Sequence, residues 1–186
     1  MDNKREAERI LKNVPRLRLP ISGPTSLEPV FKENVIAQYA SFARTFGHPK
    51  SVLYPSCEVD ASPAKAFPNA EVTLLDKEEK YAEALRRHGL RAVTADIRNY
   101  PPESKHDLII LLNPEIPSEL VTKHVKRGGY ILANNYHLNA EQLLAHPDFK
   151  IMGKISERDA HLTTELSDPK AEMRRVDDFF IFKKIR

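Results

Sequence analysis

From residue 51 onward, short apolar runs alternate with amphipathic stretches. The runs are SVLYP at 51–55, EVTLLD at 71–76, RAVTAD at 91–96, HDLIILLN at 106–113 and YILANN at 130–135. Each has a strand's length and is bounded by polar or turn residues. Between them, KEEKYAEALRRHG at 77–89 predicts a helix with Tyr81, Ala82 and Leu85 inward and Gly89 as its stop. SELVTKHVKRGG at 118–129 predicts a helix ending at a double glycine, and NAEQLLAHP at 139–147 one closed by Pro147. HDLIILLN is the most apolar run, as a central strand buried on both faces should be. Strand–helix alternation predicts an α/β three-layer sandwich around a mostly parallel, seven-stranded sheet. The last runs, FKIMGKI at 149–155 and DDFFIFKKI at 177–185, are separated only by the polar stretch 156–175. That stretch reads as a loop, so the two should pair antiparallel as a C-terminal hairpin at the sheet's edge.

The first 48 residues predict helices instead. Ala7, Ile10, Leu11 and Val14 share one face, and Pro15 and Pro20 then break the chain. A longer helix is expected over 23–47. Thr25 and Glu28 form a capping-box pattern, Pro29 falls in the first turn, and Gly47 is the C-cap. Leu27, Phe31, Val35, Phe42 and Phe46 form its apolar stripe, with Val30 beside them. The expected organisation is a helical N-terminal extension, 1–48, packed on an α/β domain, 49–186.

The bulk numbers narrow the setting. A chain of 186 residues fits one domain with a substantial core. No apolar run approaches the roughly 20 residues of a membrane span. The charged N-terminal stretch lacks the apolar region of a secretion signal. Cys57 is the single cysteine and cannot close an internal disulfide, so a cytoplasmic setting is the expectation. The net charge is only +3, with basic clusters at 86–91, 123–127 and the C-terminal tail. Most Lys and Arg alternate with acids, which favours solvated helix ends over a nucleic-acid surface.

In an open α/β sheet, ligands bind outside the carboxyl ends of the strands. Those ends carry Tyr54 to Asp60, Asp76, Asp96, Asn113, and then Asn134, Asn135, Tyr136 and His137. Asp76 could accept the two hydroxyls of a ribose, or cap the helix beginning at Lys77. Asp96 could meet an adenine amino group, or be a turn residue before Arg98 and Asn99. Asn113 and Pro114 could line a substrate, or simply end a strand. His137 and Tyr136 could be a base and an aromatic wall, or surface residues. The histidines show no metal-site spacing, so no metal is expected.

Order and spacing together resemble a class I S-adenosylmethionine-dependent methyltransferase over about 51–185. VLYPSCEVD stands at the nucleotide loop, VTLLD as the acidic second motif, VTAD as the third, DLIILLNP as the fourth, and LVTKHVKRGGYILANN as the fifth. The closing pair FKIMGKI and FFIFKKI matches as well. The resemblance implies S-adenosylmethionine as cofactor and methyl transfer to an N or O acceptor, most simply a small molecule. It places Tyr54, Ser56, Cys57, Glu58 and Asp60 beside the methionine part, Asp76 at the ribose, Asp96 and Ile97 at the adenine, and Asn113 near the transferred methyl.

The loop departs from the family pattern. An acid, a residue and then Gly-x-Gly-x-Gly are replaced by Tyr54, with Ser56, Glu58 and Asp60 at the glycine positions. A Cβ at such positions opposes positive φ and close approach of a ligand. If Glu58 faced the cofactor's carboxylate at about 4 Å, the repulsion would be about 4 kcal/mol, roughly a thousandfold in affinity. The stretch also resembles a loop variant, Tyr-Pro-Gly-x-Gly-x-Asp-x-Ser-Pro, in which Asp60 would meet the methionyl amine and Ser62 would cap a helix begun by Pro63. The alternative expectation is a methyltransferase-like fold that has lost its cofactor and serves as a binding or scaffold module, its pocket filled by Glu58 or Tyr54. A third is a nucleic-acid modifier, from Asn113-Pro114-Glu115-Ile116. Cys57, beside Glu58, reads as a buried, inert thiol rather than a nucleophile.

Overall fold

The computed structural model describes residues 27–186. The amphipathic stretch with Ala7, Ile10, Leu11 and Val14, and the Thr25 half of the capping pattern, lie outside the described residues. The elements run α1 (Glu33–Phe46), β1 (Ser51–Pro55), α2 (Ser62–Ala66), β2 (Glu71–Asp76), α3 (Glu79–Arg87), β3 (Ala92–Thr94) and a 3-10 turn (Ile97–Asn99). They continue β4 (His106–Leu111), α4 (Glu119–Thr122), β5 (Val125–Ala133), α5 (Asn139–Ala145), β6 (Phe149–Ile155), β7 (Leu162–Thr163), α6 (Pro169–Glu172) and β8 (Phe179–Lys184).

One sheet of order β3-β2-β1-β4-β5-β8-β6-β7 forms the middle layer. β1 to β5 are parallel, and β8 runs antiparallel between β5 and β6. Alternation along each strand divides the core between the two faces. Val52, Tyr54, Leu108 and Ile110 pack with Val35, Tyr39 and Phe42 of α1 and with Ala82 and Leu85 of α3. Leu53, Ile109 and Leu111 pack with Val121 of α4 and with Ala140 and Leu143 of α5. No helix among the described residues is long and apolar enough to cross a membrane.

The structure departs from the sequence expectation in three places. The first helix begins at Glu33, not near Thr25. Pro29 disfavours helical backbone at Glu28, and Val30 instead pairs with the loop after β1: its N–H donates to the Val59 carbonyl and its carbonyl accepts from Ala61 N–H, both at 2.8 Å. Leu27, Val30 and Phe31 are therefore exposed. The expected helix over 118–129 stops at Thr122, and β5 starts at Val125 opposite His106. Gly128 and Gly129 form a bulge inside β5 and do not end a helix. Gly128 has φ 80°, and a Cβ on Gly129 would stand 2.8 Å from the Asp107 carbonyl oxygen. Finally, β8 is inserted into the sheet interior, and the two-residue β7 adds an eighth strand at the edge. Phe179 and Ile181 enter one core and Phe180 and Phe182 the other. A strand apolar on both faces belongs between layers.

Candidate functional site

The strand order reverses between β1 and β4, and a cleft of about 500 Å³ opens outside the carboxyl ends at that point. Ser56 and Glu58 line it from the loop after β1, and Asp76, Lys77 and Glu78 from the end of β2. Asp96, Ile97 and Arg98 follow β3, and Asn113, Glu115 and Ile116 follow β4. Tyr81 and Lys80 of α3 complete one wall. The lining holds five carboxylates (Glu58, Asp76, Glu78, Asp96, Glu115) against three cations (Lys77, Lys80, Arg98), so the cleft is net acidic in a net basic chain.

The glycine-free loop retains a glycine-like path. Ser56 has φ 55° and Glu58 φ 49°, the left-handed region, at two positions where the family pattern has glycine. Asn113, across the cleft, has φ 51°. Left-handed backbone costs a residue with a Cβ about 1–2 kcal/mol, so neighbouring contacts must hold it. At Glu58 the holder is Asp76: Oδ2 accepts the Glu58 N–H at 2.9 Å, and Oδ1 accepts the Glu78 N–H at 2.9 Å. Asp76 thus ties the first loop to Glu78, the residue before α3; that helix starts at Glu79 and not at Lys77, so Asp76 is not the helix cap the sequence suggested. Each oxygen has capacity for a further hydrogen bond, and Asp76 is among the residues lining the cleft. The glutamate side chain at Glu58 is exposed and does not plug the cleft.

Glu58→Gly is expected to change stability by less than about 1 kcal/mol. Relief of strain and the added chain entropy of glycine nearly cancel. Glu58→Val should cost about 2 kcal/mol, because a β-branched residue is the poorest occupant of that conformation. Urea denaturation of the pair measures the contrast.

Of the sequence candidates, Ser56, Glu58, Asp76, Asp96, Ile97 and Asn113 meet at the cleft; Tyr54, Cys57 and Asp60 are not among its lining residues. Tyr54 is buried and donates its hydroxyl to Asp60 Oδ2 at 3.3 Å, and burial pushes its phenol well above the ordinary value. Asp60 also accepts the Ser62 N–H at 2.9 Å and pairs with Lys32 Nζ at 3.1 Å. Asp60 therefore caps α2. The Ser62 hydroxyl, expected as the cap, instead accepts the Lys32 N–H at 2.8 Å. Cys57 is buried, and burial with the nearby Asp76 charge pushes its thiol far above the ordinary range, which leaves it inert.

Asp96 caps the 3-10 turn through Arg98 N–H at 2.8 Å and pairs with the Arg98 guanidinium at 2.8 Å. These contacts, the N–H first, hold its carboxyl below the ordinary range. Asn113 is fixed by fully buried Asn134, whose Oδ1 accepts the Asn113 N–H at 3.0 Å while its amide donates to Asn113 Oδ1. Tyr136 and His137 lie outside the lining, Tyr136 exposed. Sequence reasoning missed Lys77, Glu78, Lys80, Tyr81 and Arg98, which sit one to five residues past a strand end. Reading beyond the last strand residue would have found them.

No family model matches this sequence, and no curated protein matches it. Solved structures do. The N-methyltransferase NodS from Bradyrhizobium japonicum, in complex with S-adenosyl-L-homocysteine, superposes with a TM-score of 0.58 at 13% identity, over 100% of both chains. The plantazolicin methyltransferase BpumL, in complex with the same molecule, gives a TM-score of 0.55 at 18% identity over 83% of this chain and 84% of that one. With the observed strand order and the antiparallel β8, these likenesses show that the chain has the class I S-adenosylmethionine-dependent methyltransferase-like fold.

Proposed function

We propose that the cleft binds S-adenosylmethionine and that the protein transfers its methyl group to a nitrogen or oxygen of a small-molecule acceptor. The carrying observation is the left-handed backbone at Ser56 and at Glu58, the latter held by Asp76, which gives the loop a conformation that glycine favours without its glycines. The cleft suits such a ligand in size, since small-molecule sites span about 300–1,000 Å³. Its net acidity suits the sulfonium and ammonium of the donor. None of the described residues plugs it, unlike the pocket expected of a scaffold that had lost its cofactor.

In this reading the lone pairs left on Asp76 accept the ribose hydroxyls, and Ile97 gives adenine an apolar surface with Asp96 at its amino group. The exposed Glu58 carboxylate lies toward the donor's cationic end. Asn113, held by Asn134, orients the acceptor. When bound, the donor supplies an electrophilic methyl on sulfur. The residues' work is alignment and exclusion of water, with little chemistry of their own. Isothermal titration with S-adenosylmethionine at 50 mM salt is expected to give a micromolar dissociation constant that weakens as salt is added. No heat at millimolar ligand would refute the reading.

A further inference from the structure

At the opposite end of the sheet, where β1, β4 and β5 begin, lies a second groove of about 520 Å³. Its floor is aromatic. Phe42, Phe46 and Tyr130 lie in mutual contact, with ring centroids 5.3–5.5 Å apart, and Phe46 and Tyr130 remain partly exposed. Its rim is cationic, with Lys50, Lys126 and Arg127 lining it. Lys183 pairs with Tyr130 across β5 and β8, and Lys150 with Lys183 across β6 and β8, so all three project from the same face. Lys183 Nζ stands 5.6 Å from the centre of the Tyr130 ring. The one acid in the lining, Asp107, is occupied by Lys126 at 2.8 Å and by the Lys50 and Ser51 N–H groups at 2.9 Å. The side chains of Lys50 and Arg127 make no ion pair among the described residues. The bulge at Gly128 and Gly129 presents Lys126 and Arg127 here and uses two of the chain's six glycines.

We propose that this groove binds single-stranded nucleic acid, with bases against Phe46 and Tyr130 and phosphates along the Lys50, Arg127, Lys183 and Lys150 side chains. An acidic peptide would use the cations and leave the aromatic floor without a role. A planar base linked to a phosphate uses both, and stacking surfaces beside a positive track are the usual means of holding single strands. The strand orientation puts this surface about 20 Å from the acidic cleft, across the six residues of β4. The two ends therefore carry opposite charge and do not compete for one ligand.

Fluorescence anisotropy with a labelled twelve-nucleotide oligouridylate and the full chain tests this. Binding at 50 mM salt is expected, with log affinity falling against log salt at a slope of about −2 to −3. Lys50→Glu with Arg127→Glu should weaken binding at least tenfold. Tyr130→Ala, checked for folding by circular dichroism, should weaken it about tenfold with the slope unchanged. Lys150→Gln, on the exposed surface, should lower the slope by about one and leave the fold intact. Titration of the charge-reversed protein with S-adenosylmethionine should match wild type, which separates this inference from the cofactor reading. The proposal is overturned by no binding at 50 mM salt, or by equal binding to the charge-reversed protein. Capture by phosphatidylserine vesicles or heparin with no loss in Tyr130→Ala would overturn it too.

Discussion

Asp76→Ala is expected to lose about 2–4 kcal/mol of stability and at least a hundredfold in affinity for S-adenosylmethionine. The stability loss follows from two hydrogen bonds to a buried carboxylate, from Glu58 N–H and Glu78 N–H. Bonds to charged groups contribute about 1.5–3 kcal/mol each. Both donors sit on exposed residues, so water replaces part of what is lost, and the sum stays below the full value. The affinity loss has two sources. The lone pairs offered to a ribose disappear, and Glu58 is released from left-handed backbone, so the loop relaxes away from its glycine-like path. Two hydroxyls bonded to a carboxylate are together enough for about 3 kcal/mol, a hundredfold. Asp60→Asn provides the contrast. It disturbs a buried network with Ser62, Tyr54 and Lys32 that does not line the cleft, so it should lower stability and leave affinity within a few-fold. Urea denaturation and isothermal titration of both variants decide the matter. An Asp76→Ala protein that bound the donor as wild type does would remove the ribose role.

The strands and their mostly parallel sheet were legible because short apolar runs alternating with helices have few alternatives. The rim residues Asp76, Asp96 and Asn113 followed from where those runs stop. What stayed hidden depends on distant partners. Nothing near Glu58 in sequence says that Asp76 will hold its backbone, and so the missing glycines read as an obstruction although the loop keeps their conformation. Val121 and Val125 are spaced as on a helix, yet Val125 pairs with His106, Gly128 takes left-handed backbone, and Gly129 makes room against Asp107. The residues FFIF read as half of an edge pair, yet apolar side chains on both faces call for the interior position that β8 takes between β5 and β6. The second groove joins Phe46 to Lys50, Arg127 and Tyr130, and no local pattern brings those residues together.

Lowering the pH from 7 to 4 is expected to remove about 3 kcal/mol of stability, most of it through one imidazole. His106 opens β4 and is buried, stacked on Tyr100 with ring centroids 6.2 Å apart. Neither of its ring nitrogens has a hydrogen-bond partner among the described residues. Burial first, then the neighbouring His124 and Lys126, pull its pKa down to about 4, and the Glu71 charge only partly opposes them. The folded state thus keeps this ring neutral, whereas the unfolded chain takes up a proton near the ordinary value of about 6.5. Between those values the unfolded chain binds more protons, so stability is fully present above about pH 6.5 and drains away as the pH falls toward 4. His124 is fully buried with its pKa also lowered, burial again the main cause, and it adds to the same slope. His106→Leu removes both unpartnered nitrogens and fills the site with apolar volume. It should equal or exceed wild type at pH 7, since an unpaired buried polar group costs about 1–3 kcal/mol. Below pH 6 it should lose much less than wild type. Urea midpoints at pH 7.5, 6 and 4.5 measure both curves. Parallel curves would mean that carboxylates, and not this histidine, set the acid limit of the fold.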